Sequence, residues 1–301
     1  MRNRSGMSRA LVRRETTAGY LFLLPSLFFF ITFVVVPMFM CIFTSLFDSN
    51  MGKDTKDVFI GLANYKELLH DQVFLGALKN TLIIVVVAVP TVCIFSLWVA
   101  SAIYDFKPWL TSAYRVIFYL PVVTGSVAVT VVWKWMFNNY YGIFNYLGQN
   151  LGVTSQNINW LGDEKYALWC IILILFTTSV GQPIVLYVSA LSNVDHTLVE
   201  AAEVDGATNT QVFWKIKWPQ IMPTTLYILV ITTINSFQCF ALIQLLTSGG
   251  PNHSTDTIMY YIYYTAFKLY RYGYGNAMGV VLMILIALLS AVQFRLGKSR
   301  D

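Results

Sequence analysis

Of the 301 residues, 56% are hydrophobic and 12% charged, and the mean hydropathy is +0.60. A soluble domain carries about 25% charged residues, so a chain with half that charge belongs in lipid and is no ordinary soluble domain. The net charge of +5 is scattered over tails and loops, which leaves no basic patch for nucleic acid.

Residues 1–19 are a basic tail, with Arg2, Arg4, Arg9, Arg13 and Arg14 against the single acid Glu15. A secretory signal also begins basic, but its apolar core covers about 7–15 residues and ends at a small-residue cleavage site. Here the apolar run continues over 20–47, which predicts an uncleaved first span, kinked near Pro25 and Pro37. Five further runs, at 79–103, 115–137, 166–191, 221–246 and 275–295, approach or exceed the roughly 20 apolar residues needed to cross a bilayer. Pro90, Pro121 and Pro183 predict kinks inside them.

Six spans put both termini on one side. With that side cytoplasmic, 12 of the 20 Lys and Arg residues fall on cytoplasmic segments: the five tail arginines, Lys107, Arg115, Lys215, Lys217, Arg295, Lys298 and Arg300. Their density is about twice that of the outer loops, the bias that sets topology in membranes. The outer loops are then 48–78, 138–165 and 247–274, rich in Asn, Gly and aromatic residues such as Trp160. The chain reads as one six-span domain over 20–296 between the tails 1–19 and 297–301, with no internal repeat.

No span carries Asp, Glu, His or Arg at its middle; Lys79, Arg115, Lys134 and Arg295 lie near ends. Proton relays and ion sites use such residues, so their absence argues against a proton-coupled symporter. Neutral polar groups stand there instead. Thr232, Asn235, Ser236 and Cys239 have the spacing of one helix face, and Ser179 and Gln182 flank Gly181 and Pro183. An uncharged cavity with such groups suits a neutral polyhydroxylated ligand, although Ser and Thr also bond helix to helix.

Catalytic patterns are missing. Gly297-Lys298-Ser299 looks like the end of a phosphate loop, but Val292 fills the first glycine position. His70, His196 and His253 lie apart in loops without metal or triad spacing. Cys41, Cys93, Cys170 and Cys239 all sit in apolar runs and read as small apolar side chains.

The most polar long interruption in the second half is 195–223. Thr197 with Glu200 fits a capping box, Gly206 ends that first short helix, and Thr208 with Gln211 opens a second. Pro219 and Pro223 are expected to limit the second helix, giving two short helices in an L. Asp195, Glu200, Glu203 and Asp205 make the first helix acidic, the wrong sign for reading DNA.

Glu200-Ala201-Ala202, Gly206, Ile216 and Pro219 have the identities and spacing of the EAA loop; Trp218 departs from the usual leucine. At these residues the chain resembles the permease subunits of bacterial ABC importers. A second stretch, 242–282, resembles the carbohydrate-uptake branch through Thr247, Gly249, Gly250, Pro251, Thr257, Phe267, Gly273, Gly275 and Ala277.

The resemblance implies an all-α membrane protein with six transmembrane helices, the type I ABC importer permease fold with a cytoplasmic coupling-helix loop. Glu200, Ala201, Ala202, Asp205, Gly206, Ile216 and Pro219 would couple to an ATPase, and Ser179, Gln182, Thr232, Asn235, Ser236 and Cys239 would line the substrate path. The chain itself would hold no cofactor or metal; ATP and magnesium would be bound by the partner ATPase. Implied partners are a second homologous permease subunit, two ATPase subunits, an extracellular solute-binding protein and a carbohydrate, in a bacterial cytoplasmic membrane. The alternative is a self-contained secondary transporter or channel protomer for a small polar solute.

Overall fold

The computed structural model describes residues 9–50 and 57–298. The first eight residues of the basic tail, and 299–301 of the closing 297–301 stretch, lie outside the described residues. Helix α1 (Arg9–Phe30) passes through a π turn at Ile31–Val35 into α2 (Val36–Thr44). The Val36 N–H reaches back to Ile31 O, and this wider turn lets the helix take in Pro37 without breaking. It is the irregularity expected near Pro37, whereas α1 runs through Pro25. Between Thr16 and Thr44 only Val35, Cys41, Ile42 and Thr44 are even half-buried, so this first crossing stands off the bundle. Its far end is tied down where the Asn276 amide donates to Thr44 Oγ1 at 2.6 Å.

A short antiparallel pair, β1 (Phe47–Asp48) with β2 (Val58–Phe59), and α3 (Ala63–Leu68) lead to Asp71. Asp71 caps α4 (Gln72–Ile103) by accepting the Val73 and Phe74 N–H groups, and its other oxygen accepts the hydroxyls of Tyr274 at 2.7 Å and Tyr261 at 2.9 Å. Burial alone would raise the pKa of this carboxyl. The hydrogen bonds, that from Tyr274 foremost, outweigh it and hold Asp71 below its ordinary value.

Helix α4 continues unbroken through Pro90. The single crossing expected over 115–137 is not single: α5 (Pro108–Val123) and α6 (Ser126–Met136) meet at 93°. Pro121 has no N–H to give, and Thr124 and Gly125 are extended, so the helix turns there. After α7 (Ile143–Asn150), the pair α8 (Glu164–Ser179) and α9 (Gly181–Ser192) bends at Val180, three residues before Pro183. Next come α10 (His196–Val204) and α11 (Asn209–Val212), then a π turn at Phe213–Lys217 running into α12 (Trp218–Phe237). The chain closes with α13 (Ala241–Leu246), α14 (Ile258–Tyr263), a π turn at Tyr264–Lys268 and α15 (Tyr272–Lys298). Among the described residues, five stretches are long and apolar enough to cross a membrane, and the bent α5–α6 pair makes a sixth.

The core lies where α4, α9 and α12 meet, with Val92, Ala100, Ile184, Leu191, Ile221 and Ile228 closed off from solvent. A second cluster joins α4 and α12 to α14 and α15 through Phe74, Phe237, Ile258, Ala277 and Met278. At the end bearing the hairpin, Asn145 is 3% exposed and satisfies four groups at once. Its amide donates to Asn139 O and Ile158 O at 3.0 Å, and its oxygen accepts Ile158 N–H at 3.1 Å and Trp160 Nε1–H at 2.9 Å. Trp160 packs with Phe137 and Phe144. Replacing Asn145 by Ala strands these buried partners, at a cost of about 2–4 kcal/mol. The expected result is a lower thermal unfolding midpoint for the purified protein in detergent, and an unchanged midpoint would contradict this account.

Candidate functional site

The loop between α9 and α12 is built from its caps. The box expected from Thr197 and Glu200 does not form. Asp195 caps α10 instead, accepting Thr197 N–H at 2.9 Å and the Thr197 hydroxyl at 2.7 Å, because a carboxylate ahead of the helix is a stronger acceptor than a hydroxyl inside its first turn. The Thr197 hydroxyl is also the main reason that the fully exposed Asp195 carboxyl lies below its ordinary pKa. At the far end Gly206 takes φ +78°. Its N–H bonds Glu203 O at 3.0 Å, and Ala207 N–H bonds Ala202 O at 2.9 Å, the paired bonds of a Schellman ending. Thr208 and Gln211 then form the reciprocal capping box read from the sequence.

The second helix departs from expectation. Pro219 and Pro223 do not limit it, since α11 flows through the π turn into α12, where Trp218 N–H reaches Phe213 O. The turn is wider by one residue just before Pro219, which removes the clash of the proline ring with the preceding turn. The loop therefore has one free helix, α10, and a second that is the base of a crossing helix. Gln220 accepts the Asp195 N–H at 3.2 Å. Lys217 donates to the Tyr104 hydroxyl at the end of α4 and lies 4.8 Å from that ring. Val194 and Val212 are buried at the root of the loop, with Val199 and Phe213 packed on the core.

Away from the root, Glu200, Ala201, Asp205, Gly206 and Pro219 are exposed, while Ala202 and Ile216 are half-buried. Leu198 is 51% and Val204 87% exposed. The free face of α10 is thus small, apolar and acid-flanked, the form of a helix that inserts into a complementary cleft.

At mid-depth, Ser179 and Gln182 come together with Thr232 and Asn235 around a cavity of about 130 Å³, closed by Val122, Thr178, Pro183, Leu186 and Ile231. None of its lining residues is ionisable. The side chains of Ser179, Gln182 and Asn235 make no hydrogen bond to the rest of the described chain. The same helix face does not hold throughout. Ser236 is 2% exposed and turned into the packing, and α12 ends at Phe237, so Cys239 leaves the helical spacing. Cys239 lines a neighbouring cavity of about 330 Å³ with Gln238, Phe240, Thr124 and Ser126, and Val122 and Thr178 border both.

Two other clefts, of about 420 and 410 Å³, have almost wholly apolar walls and offer a polar solute little to bond. Sequence reasoning missed residues 238–240, the non-helical stretch in the wall of the larger cavity. No Gly or Pro marks it, whereas Pro121 and Gly125 do signal the break opposite.

This chain is similar to known proteins along most of its length. The permease protein YurN of Bacillus subtilis, described as a probable ABC transporter permease, is 32% identical over 291 residues, covering 96% of this chain and 99% of that protein. The multiple sugar-binding transport system permease protein MsmF of Streptococcus mutans is 31% identical over 280 residues, covering 93% and 95%. A crystal structure of a bacterial ABC transporter that imports the acidic polysaccharide alginate superposes with a TM-score of 0.80 at 22% identity, over 98% of this chain and 100% of that one, which shows a shared fold. Residues 72–300 match the family described as the binding-protein-dependent transport system inner membrane component, and this multi-pass membrane chain belongs to that family.

Proposed function

We propose that this chain forms half of the translocation path of an ATP-driven importer for a sugar or oligosaccharide, in a bacterial cytoplasmic membrane with both termini on the cytoplasmic side. One observation carries the reading. The free helix α10 is joined through Gly206 and the Thr208–Gln211 box to a helix that continues as α12, and α12 carries Thr232 and Asn235 into the uncharged cavity. Force applied to α10 passes through the short capped turn at 205–208 and then along a continuous helix to the cavity wall. Such switches are shifts between packed states, and a continuous helix is the means of making one.

The chain supplies no nucleotide site of its own in this reading. ATP and magnesium belong to two separate ATPase subunits whose clefts receive α10, with Glu200, Ala201, Ala202, Asp205 and Gly206 at the contact and Ile216 and Pro219 at its base. A second, homologous permease subunit completes the path, and a solute-binding protein delivers the sugar to the outer face. MsmF, by its description a multiple-sugar permease, supports the carbohydrate class. The uncharged cavity favours a neutral sugar over an acidic one such as the alginate carried by the structural relative.

An intramembrane carboxylate, or an inverted repeat with broken helices, would favour the rival secondary transporter; crossing helices are interrupted at residues 124–125 and 238–240, while α8 and α9 stay bonded to each other across Val180. Breaks alone do not separate the two readings. A coupled transporter also needs an ion site, and neither mid-depth cavity has a carboxylate or histidine in its wall.

Purification of the tagged chain from its native membrane is expected to bring down an ATPase, a different six-span protein and a solute-binding protein. Recovery of the chain alone, still transporting without an ATPase, would sink the proposal. Gly206→Pro is expected to leave the complex assembled but uncouple ATP hydrolysis from uptake, because proline is fixed near φ −65° and removes the N–H bonded to Glu203. Wild-type uptake by that variant would refute the coupling role. Asn235→Leu and Gln182→Leu are each expected to raise the half-saturation concentration for uptake about tenfold, the loss of one hydrogen bond to the sugar. Unchanged uptake kinetics in both would remove the cavity from the path.

A further inference from the structure

The Gly249-Gly250-Pro251 turn has no part in the coupling loop or the small cavity, yet it is among the most heavily bonded segments of the chain. Gly249 takes φ +85°, and a Cβ there would stand 2.0 Å from Asp256 Oδ1, so only glycine fits. Gly250 N–H bonds Thr247 O at 3.0 Å, and the Thr255 hydroxyl donates to Gly250 O at 2.8 Å. The Tyr260 hydroxyl donates to Ser248 O at 2.9 Å. Beneath the turn, Asp256 is 1% exposed and pairs with His253 Nδ1 at 2.6 Å.

Two further sets of bonds run outward from this knot. One fastens it to the start of α4: the Asn80 amide donates to Ser254 O and Asp256 O at 3.0 Å, and Thr81 Oγ1 accepts the Ile258 N–H at 3.0 Å. The other runs inward. Thr257 is fully buried, and its hydroxyl donates to Cys239 O at 2.8 Å while accepting Tyr260 N–H at 3.3 Å. Cys239 is the middle of the non-helical stretch 238–240, which forms one wall of the cavity of about 330 Å³.

We propose that residues 248–257 are an outer strap that sets the course of the 238–240 wall, with Thr257 as its positioning residue. This rests on the reading of the cavities as the translocation path. The strap is anchored on α4, part of the packed core, so its inward hydroxyl offers Cys239 O a fixed partner. Without that partner a buried carbonyl is left unsatisfied, and the stretch must shift to find another. Thr257 touches no solute in this scheme; it acts through the backbone of Cys239. The wall of the path is thereby held from the outer surface, where the turn at Asn252 and His253 is exposed.

The test is the accessibility of the Cys239 thiol in membrane vesicles carrying the assembled transporter, with Cys41→Ser, Cys93→Ser and Cys170→Ala as background. The probe is a charged methanethiosulfonate reagent. Thr257→Val keeps the shape of the side chain and removes its hydroxyl; it is expected to raise the labelling rate about tenfold, while Thr257→Ser keeps the parental rate. Parental labelling in Thr257→Val would overturn the proposal, as would an equal rise in the Val and Ser variants, since the hydroxyl would then not be the determinant. If Thr257→Val fails to accumulate, Asn80→Leu releases the strap at its α4 anchor by removing the bonds to Ser254 O and Asp256 O; faster labelling supports the proposal and an unchanged rate overturns it. Labelling needs no solute. A strap that behaves as expected in a protein that carries no sugar would count against the proposed solute alone.

Discussion

Inside a membrane a backbone carbonyl has no water to turn to, so every interruption of a crossing helix must bring its own partners. A hydroxyl bonds a backbone carbonyl at each of three irregular points; at two of them it adds to a helix bond that the carbonyl already accepts, and at Cys239 it is the partner itself. At the α5–α6 turn the Thr124 hydroxyl donates to Leu120 O at 2.9 Å. At the α8–α9 bend the Ser96 hydroxyl, fully buried on α4, donates to Val180 O at 3.2 Å. At the end of α12 the Thr257 hydroxyl donates to Cys239 O. The three points surround the two mid-depth cavities, whose walls include Thr124, Ser179, Pro183 and Cys239. Irregular backbone within the membrane is tolerated where it borders a protein-lined space, and the cavities lie where the helices are broken.

That relation also accounts for what could and could not be read from the amino-acid sequence. Apolar runs of about 20 residues are a strong signal because a helix needs that length to cross the hydrocarbon core, and each of the expected crossings is mostly helical. Gly206, Thr208 and Gln211 were legible because local backbone chemistry decides them: a left-handed residue and a reciprocal cap need no distant partner. The break at 238–240 was not, because its cause sits 18 residues later in Thr257. Cys239 leaves the expected helix face for the same reason, since a face drawn on an ideal helix continues past the point where this helix stops. Pro219 erred in the other direction. Proline forbids one backbone bond, and a π turn upstream supplies a register that does not need it.

The π turns give the molecule a further property. One precedes Pro37 in the first crossing and another precedes Pro219 at the base of α12, so in both places a proline enters a helix without cutting it. For the first crossing this has few consequences, since it hardly packs on the bundle. For α12 it decides the mechanics. A break at Pro219 would have made the loop a hinged flap able to move without disturbing the membrane helices. In the proposed function, continuity makes the same loop a handle on the helix that carries Thr232 and Asn235.

A handle transmits motion only if the body it turns is stiff, and stiffness here comes from both ends of α12. At its base, Gln220 bonds the first residue of the coupling loop, Lys217 bonds Tyr104, and Ile221 is buried among the α4 and α9 side chains. At its far end, Phe237 is fully buried in a cluster with Phe74, Ile258 and Met278, and the Cys239 carbonyl two residues on bonds Thr257 of the strap fastened on α4. Between the two ends the helix borders the uncharged cavity on one side and packs on α4 and α15 on the other. Helix α4 is thus the fixed frame for both the coupling loop and the strap. A displacement of α12 relative to α4 must alter the cavity walls next to Asn235 and next to Cys239.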